Sequence, residues 1–566
     1  MGKLRNMWVI NGGILLVSLL LVAKLGYIQI VLGEMYRDKA EQQYTNPFSD
    51  SFNRGAIFFK EKTGRKISAA TVTAEYSLAI DPSQIIEPER LADNLLSVIS
   101  FNRTDFINKS SEKNSRYKEI MKHIDEDKVI AIKTLNEKGV ILEKSKKRFY
   151  PGGQTAAQVI GFVGSDGHII SGRYGLERYY NDILTRKYSD TFSGFLSNFF
   201  LKAGKTLFSD RMSEGDIVTT IEPTVQGMLE RTLVDDILIK YDATWASAII
   251  MDPKNGEIYA MGSVPSFNPN DFSKEKDQRV FSNILVEGVY EMGSIIKPLV
   301  MAAGIDRGVV TAATTYDDKG FVIINNKRIS NFDNKGRGIV TMQEALSQSL
   351  NTGFIFVMNR LGKDVFREYL KAYGLDEETG IDLPNEGLGR MDNLESPRDI
   401  EYATAAFGQG VAFTPIATIR ALSVLANGGM LVTPHVVKRI ENGLNPAQDF
   451  VPGSERRVIK KETSREISRM LTYSVDNVLL NGSLKQEHYS IAVKTGTAQQ
   501  VEEGKYSETN FLHTFVGYFP SYDPKFIIFL AVKNPQGERY SSNTLSLPFM
   551  QITKFLINYY EVPPDR

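Results

Sequence analysis

The 566-residue chain contains no cysteine. Disulfides, thiol nucleophiles, thiolate metal sites and iron–sulfur clusters are all excluded by that one absence. Histidine is scarce: His123, His168, His435, His488 and His513 are scattered, with no pair at i, i+4 and no HExxH. Neither a zinc enzyme nor a histidine-based triad is expected from such a set. A charge excess is missing too, since 67 lysines and arginines balance 67 aspartates and glutamates, so no nucleic-acid partner is expected. No metal or cofactor is implied, which leaves serine, lysine, aspartate, glutamate and tyrosine to carry any chemistry.

What is present is ordinary globular material, 42% hydrophobic and 24% charged, in a chain long enough for two or three domains. The amino terminus departs from that pattern. Lys3 and Arg5 precede an almost charge-free run from Met7 to Ala23, and a second apolar stretch runs from Leu25 to Leu32 past Lys24. A cleaved signal peptide fits the basic start, but the run exceeds the usual h-region of roughly 7–15 residues and no A-x-A site follows it. A spanning helix fits if Lys24 reaches the interface. The expectation is a cytoplasmic tail at 1–6, a transmembrane anchor at 7–32, and the rest of the chain outside the cytoplasmic membrane.

Beyond the anchor, Arg54 to Pro82 reads as strands around the polar turn KEKTGRK. From about Asn102 to Lys147 the chain is charged and helix-prone, the pattern of a solvated face. Glycine-rich, strand-like sequence then returns at YPGGQTAAQVIGFVGSDG, and a first region closes near residue 215. The second region, 216–566, opens with a helix carrying Val225, Met228, Leu229, Leu233, Ile237 and Ile239 at helical spacing. Two apolar runs around Asp252-Pro-Lys-Asn-Gly256 signal a hairpin. A long helical stretch follows, strands resume at YSIAVKTGTA, and a terminal helix closes the chain. The pattern predicts an α+β domain, an antiparallel sheet of about five strands with a helical insertion after the second.

With thiols and histidine clusters gone, a nucleophilic serine needs another base, and lysine is the main candidate. Ser-x-x-Lys puts both side chains on one helix face, but the lysine must be desolvated to lose its proton. The pattern occurs at Ser110, Ser115, Ser273 and Ser294, and only at Ser294 is the lysine, Lys297, set among apolar residues. Pro298 places the start of a helix close to Ser294, where free amides favour developing negative charge. Thr341 and Glu344 form a capping box for one helix, Gly362 ends the next, and Ser349-x-Asn351 lies at the junction between them. Lys494-Thr495-Gly496-Thr497 ends a strand-like run, whereas the same tripeptide at Lys62-Thr63-Gly64 sits in a charged turn open to water.

Ser294-x-x-Lys297, Ser349-x-Asn351 and Lys494-Thr495-Gly496-Thr497, in that order, resemble the three signature motifs of penicillin-binding proteins and serine β-lactamases. RFYPGGQTAAQVIGFVG, GLERYYNDIL, DPKNGEIYAMGSVPSFNPN, FGQGVAFTP and HTFVGYFPSYDPK extend the likeness, to the class B, monofunctional penicillin-binding proteins, along nearly the whole chain. FLINYYEVPPD looks most like the septal, cell-division branch. The resemblance implies a non-catalytic, β-rich pedestal of the dimerisation type at 33–215 and a transpeptidase domain at 216–566.

The resemblance also implies a D,D-transpeptidase that cross-links peptidoglycan stem peptides ending in D-Ala-D-Ala. Ser294 would be the nucleophile, Lys297 its base, and Ser349 and Lys494 a proton relay to the leaving amine. Asn351 would orient Lys297 and the substrate amide. Thr495 and Thr497, aided by Lys494, would bind the terminal carboxylate, Gly496 would permit close approach, and the backbone amides of Ser294 and Thr497 would form an oxyanion hole. β-Lactams would acylate the same serine. No glycosyltransferase domain fits within 33–215, so polymerisation implies a membrane-embedded glycosyltransferase partner among the division proteins. The family's usual proline before Gly-Ser is Met292 here, which should alter the stiffness of the loop, and KEKTG replaces its Asp-Arg-Asn-Gly hairpin.

Other readings are an elongation-type transpeptidase of the same class, a β-lactamase using Glu386, an idle scaffold of the division complex, and a non-enzymatic penicillin-sensing receptor. The last needs several spans and a cytoplasmic effector domain.

Overall fold

The computed structural model describes Lys24 and residues 53–166, 169–186, 215–442, 445–451, 453, 455–502 and 504–566. The expected anchor and tail lie outside the described residues, Lys24 apart. Among the described residues no helix is long and apolar enough to cross a membrane. The described residues divide into two compact units, one built on Thr73–Lys147 and one on Arg54–Val72 with the described part of Arg148–Arg566.

In the smaller unit, helices Pro88–Leu96, Arg103–Ser111 and Glu126–Leu135 surround a core of residues such as Leu78, Ile80, Leu91, Leu95, Phe106 and Ile132. The charged stretch is not purely helical as its composition suggests. Lys118–Ile124 and Val140–Phe149 are strands, both paired with Lys66–Ile80. Lys144 and Lys146 are exposed while Ser145 and Lys147 are half-buried, a period of two that a composition reading overlooks.

In the larger unit, Ile57–Lys60 forms a hairpin with the start of Lys66–Ile80 and pairs in parallel with Asp216–Thr219, which in turn pairs with Val437–Asn442. YPGGQTAAQVIGFVGSDG opens in turns and then holds one short helix, Ala157–Ile160, and one strand, Val163–Asp166, so it is less strand-like than its glycines and β-branched residues imply. Beside these strands Glu177, fully buried, receives Arg54 Nε and Arg148 Nε at 2.6 Å each. Arg54 and Arg148 also donate to the backbone carbonyls of Glu177 and Gly55. Two buried guanidinium groups share one carboxylate, so removing the acid leaves charge without compensation. Glu177→Ala is expected to cost about 3–5 kcal/mol. The thermal midpoint of the full chain checks this, and a midpoint unchanged from wild type contradicts it.

A second sheet of this unit has five strands in the order Ala492–Glu502, Lys505–Phe519, Phe526–Lys533, Trp245–Met251 and Ile258–Val264, each antiparallel to its neighbour. The sequence order and the helical insertion agree with the predicted α+β arrangement. Phe526–Lys533 is buried on both faces, which is why it reads FIIFLAVK without alternation. On one face Ala248, Ile250, Phe515 and Ile528 pack against Leu229 and Leu233 and against Phe549 and Leu556 of the terminal helix Ser541–Tyr560. On the other face Ile249, Met251 and Phe529 join the core that holds Ile295, Leu299 and the inserted helices.

The Asp252–Gly256 hairpin forms as read. Gly256 has φ +82°, and its amide donates to the Asp252 carbonyl at 3.0 Å. One expectation fails in detail: the helix Pro223–Arg231 continues as a π-helix over Thr232–Ile239, and Ile239 is 67% exposed. The wider i→i+5 turn changes the phase, so the spacing that buries Leu233 and Ile237 carries Ile239 outward.

Candidate active site

Ser294 lies in a 3₁₀ turn, Gly293–Ile296, that leads into the helix Lys297–Asp306. Pro298 occupies the first turn of that helix, as the sequence requires. Every residue from Lys297 to Gly304 is buried, so this helix runs through the core and brings Lys297 with it. The turn itself is clamped from two sides. The Gly293 amide donates to the Gly408 carbonyl at 3.1 Å, and Gly408, at φ +82°, would place a Cβ 2.1 Å from the Gly293 oxygen. Opposite, Thr514 Oγ1 donates to the Met292 carbonyl at 2.9 Å, and a Cβ on Gly496 would meet that carbonyl at 2.9 Å and Thr514 Oγ1 at 2.3 Å. Only glycine allows either approach. Met292 is itself buried, so a hydrogen bond to its carbonyl fixes the loop without the proline ring.

The second motif forms at the predicted junction. The capping box of Thr341 and Glu344 starts the helix Met342–Ser347, and Gly362 ends the helix Asn351–Leu361. Ser349 stands between them at φ +57°. Lys297 Nζ donates to the Ser349 carbonyl at 2.7 Å and to Asn351 Oδ1 at 2.8 Å, and lies 3.1 Å from Ser349 Oγ. Asn351 Nδ2 donates to the Ser330 carbonyl at 2.9 Å, which fixes the amide with its oxygen toward the lysine. Lys494 Nζ reaches Ser349 Oγ at 3.0 Å and the Thr495 carbonyl at 3.0 Å. The Ser349 hydroxyl therefore bridges two lysines from separate elements.

Two of the three groups around Lys297 Nζ, the Ser349 carbonyl and Asn351 Oδ1, can only accept. A neutral amine satisfies both with its two N–H bonds and keeps its lone pair for a hydroxyl. Burial, with the neighbouring Lys494 charge as the lesser cause, pushes Lys297 well below the ordinary lysine range. Burial brings Lys494 down to about 7. Lys494 therefore stays charged until about 7, and Lys297 is neutral well before the ordinary lysine range is reached. Acylation by penicillin is expected to speed up as Lys297 becomes neutral and to slow above about 7 as Lys494 loses the charge that attracts a carboxylate. Second-order acylation rates from acid to alkaline pH test it, and a rate that keeps rising to the free-lysine range overturns it.

Ser294, Ser349, Asn351, Lys494, Thr495 and Thr497 line one cleft of about 730 Å³, with Lys297 beneath its floor. The backbone of Thr497 lies 3.3 Å from a Cβ built on Gly293, so the strand and the turn that carries Ser294 are in contact. Arg328, Phe332, Arg539 and Tyr540 also line the cleft, and the sequence reading did not pick them out. The Phe332 and Tyr540 rings meet at 5.9 Å. Ser541, which opens the terminal helix, donates its amide to Thr497 Oγ1 at 3.2 Å. A Tyr-Ser-Ser start to an apolar helix is the only local signal of that contact. Glu386 does not line the cleft, and its carboxylate accepts the amides of Thr379 and Gly380. The upstream Lys62-Thr63-Gly64 is a turn, with Gly64 at φ +86° and its amide on the Glu61 carbonyl. Its lysine is not simply solvated as read: Lys62 Nζ lies over the Tyr559 ring and donates to the Tyr559 carbonyl at 2.6 Å, near the end of the terminal helix.

Comparison with known proteins adds independent findings. The family model described as penicillin binding protein transpeptidase domain matches residues 246–552, and that of the penicillin-binding protein dimerisation domain matches 53–191. The chain is 31% identical to Stage V sporulation protein D of Bacillus subtilis (strain 168), over 96% of this chain and 84% of that protein. It is 24% identical to peptidoglycan D,D-transpeptidase FtsI of Escherichia coli (strain K12), over 98% and 92% of the two chains. In fold it matches penicillin-binding protein 2X of Streptococcus thermophilus with a TM-score of 0.74 at 21% identity, covering 91% of this chain and 81% of the other.

Proposed function

The chain belongs to the penicillin-binding protein transpeptidase family and is a serine-type peptidoglycan D,D-transpeptidase, and from that premise we propose a role for each residue of the cleft. Ser294 Oγ attacks the carbonyl carbon between the two D-alanines while its proton passes to the neutral amine of Lys297. The carbon–nitrogen bond breaks, a serine ester forms, and a proton delivered through Ser349 and Lys494 lets the terminal D-alanine leave as a neutral amine. An acceptor amine then attacks the ester, an amide forms, and Ser294 regains a proton. The amides of Ser294 and Thr497 stabilise the oxyanion, a contribution of roughly 3–4 kcal/mol per donor. Thr495, Thr497 and Lys494 hold the terminal carboxylate, while Gly496 gives its close approach to the turn that carries Ser294 and not to the substrate. A β-lactam follows the first half, with the cleaved amine tethered to the ester.

The observation that carries this reading is the Ser349 hydroxyl placed between Lys297 and Lys494 at the edge of the cleft that contains Ser294. We further propose a pedestal at 33–215, a transpeptidase domain at 216–566, an anchor at 7–32 with the catalytic domain outside the membrane, and a membrane-embedded glycosyltransferase partner; the amino-terminal apolar run supports the anchor and the family resemblance supports the rest. A septal role in division is supported by relatives named FtsI. One observation favours a second setting, cell-wall synthesis in sporulation: the relative at 31% identity carries that process in its name. Cross-linking of lipid-linked stem peptides by the full chain with a glycosyltransferase present, blocked by penicillin, is the test. Penicillin labelling without any cross-linking would instead indicate a sensor.

A further inference from the structure

Four cationic residues line the cleft, Arg328, Arg337, Lys494 and Arg539, and among the described residues no aspartate or glutamate does. One substrate carboxylate does not require so much uncompensated charge. Lys494 is engaged at the Lys-Thr-Gly wall, and Arg539 is two residues before Ser541, which bonds that wall at Thr497. Both belong to the side assigned to the terminal carboxylate. Arg337 is already matched by Asp333 in a two-pronged pair with both contacts at 2.8 Å. Arg328 remains.

Arg328 sits on the hairpin of Phe321–Ile324 with Lys327–Ser330, turned by Asn325 and Asn326 at φ +47° and +62°. This two-residue turn of left-handed asparagines fixes the register of a short hairpin. The Ser330 carbonyl of the same hairpin accepts from Asn351 Nδ2, so the hairpin is joined to the residue that orients Lys297. The guanidinium stacks on the Phe321 ring at 3.7 Å and gives Nε to Ser330 Oγ at 3.3 Å. Among the described residues no carboxylate pairs with it. Its plane is held and its outer fork is free, the arrangement that takes a carboxylate with two parallel hydrogen bonds.

We propose that Arg328 binds a second carboxylate of the donor stem peptide, carried on a side chain upstream of D-Ala-D-Ala, so that stems with that carboxylate free are preferred over amidated ones. This rests on the D,D-transpeptidase reading above. The test uses two synthetic stem peptides ending in D-Ala-D-Ala that differ only in amidation of the side-chain carboxylate, with release of D-alanine by the full chain as the readout. The wild type is expected to favour the free carboxylate by about 10- to 100-fold in kcat/KM. Arg328→Gln is expected to lose that preference, and Arg328→Lys, which keeps the charge without the fork, to recover part of it. Equal rates for the two peptides in the wild type, or full preference in Arg328→Gln with an unchanged thermal midpoint, would overturn the proposal. Penicillin labelling of the wild type, run in parallel, separates the two failures: without labelling the transpeptidase reading itself falls, and this proposal with it.

Discussion

Ser294→Ala is expected to abolish cross-linking of lipid-linked stem peptides, a loss on the order of 10⁶-fold, and to leave the thermal midpoint close to that of the wild type. The size follows from the way linked catalytic groups behave: removing the nucleophile alone costs about as much as removing the whole set. The stable fold follows from what holds the turn, since Gly408, Gly496 and Thr514 grip its backbone at Gly293 and Met292 and leave the Ser294 side chain out of the clamp. Residual turnover above background would mean that another group is acylated.

Lys297→Met is the second large effect. Methionine fills a similar volume beside the Phe354 ring, over which Lys297 Nζ now lies at 5.4 Å, so the core is expected to stay closed. What is lost is the proposed base, and with it the donor to the Ser349 carbonyl and Asn351 Oδ1. Penicillin acylation is expected to fall by about 10²–10⁴-fold, and the rising acid limb of its pH profile to disappear. Acylation within tenfold of wild type, with the limb intact, would assign the base to another group. A structural role alone would lower the rate without removing the limb.

The three motifs were legible in the sequence because each is local. A buried Ser-x-x-Lys ahead of proline, a hydroxyl and amide between a capping box and the next helix, and a Lys-Thr-Gly at a strand end all declare their setting within a few residues. Their convergence was legible only through order and family resemblance, since no spacing rule brings Ser349 within reach of both Lys297 and Lys494. The remaining features depend on contacts between distant segments. Thr514 carries no signal that it would hold the Met292 carbonyl, 222 residues away. The same holds for Glu177 with Arg54, and for Lys62 with Tyr559. Ile239 shows a different limit: its spacing suited an α-helix, and the local change to π geometry depends on how the helix seats on the sheet. Arg328 and Tyr540 escaped notice because exposed arginines and tyrosines are common, and only a cleft wall shared by the two gives them meaning.

The central claim is that Ser294 carries the acyl group. The most direct measurement is peptide mapping by mass spectrometry after incubation of the full chain with penicillin. The expected result is a single adduct, on the peptide containing Gly293-Ser294-Ile295, and none on peptides containing Ser349. An adduct on any other residue, or none at all on folded protein, would contradict the assignment.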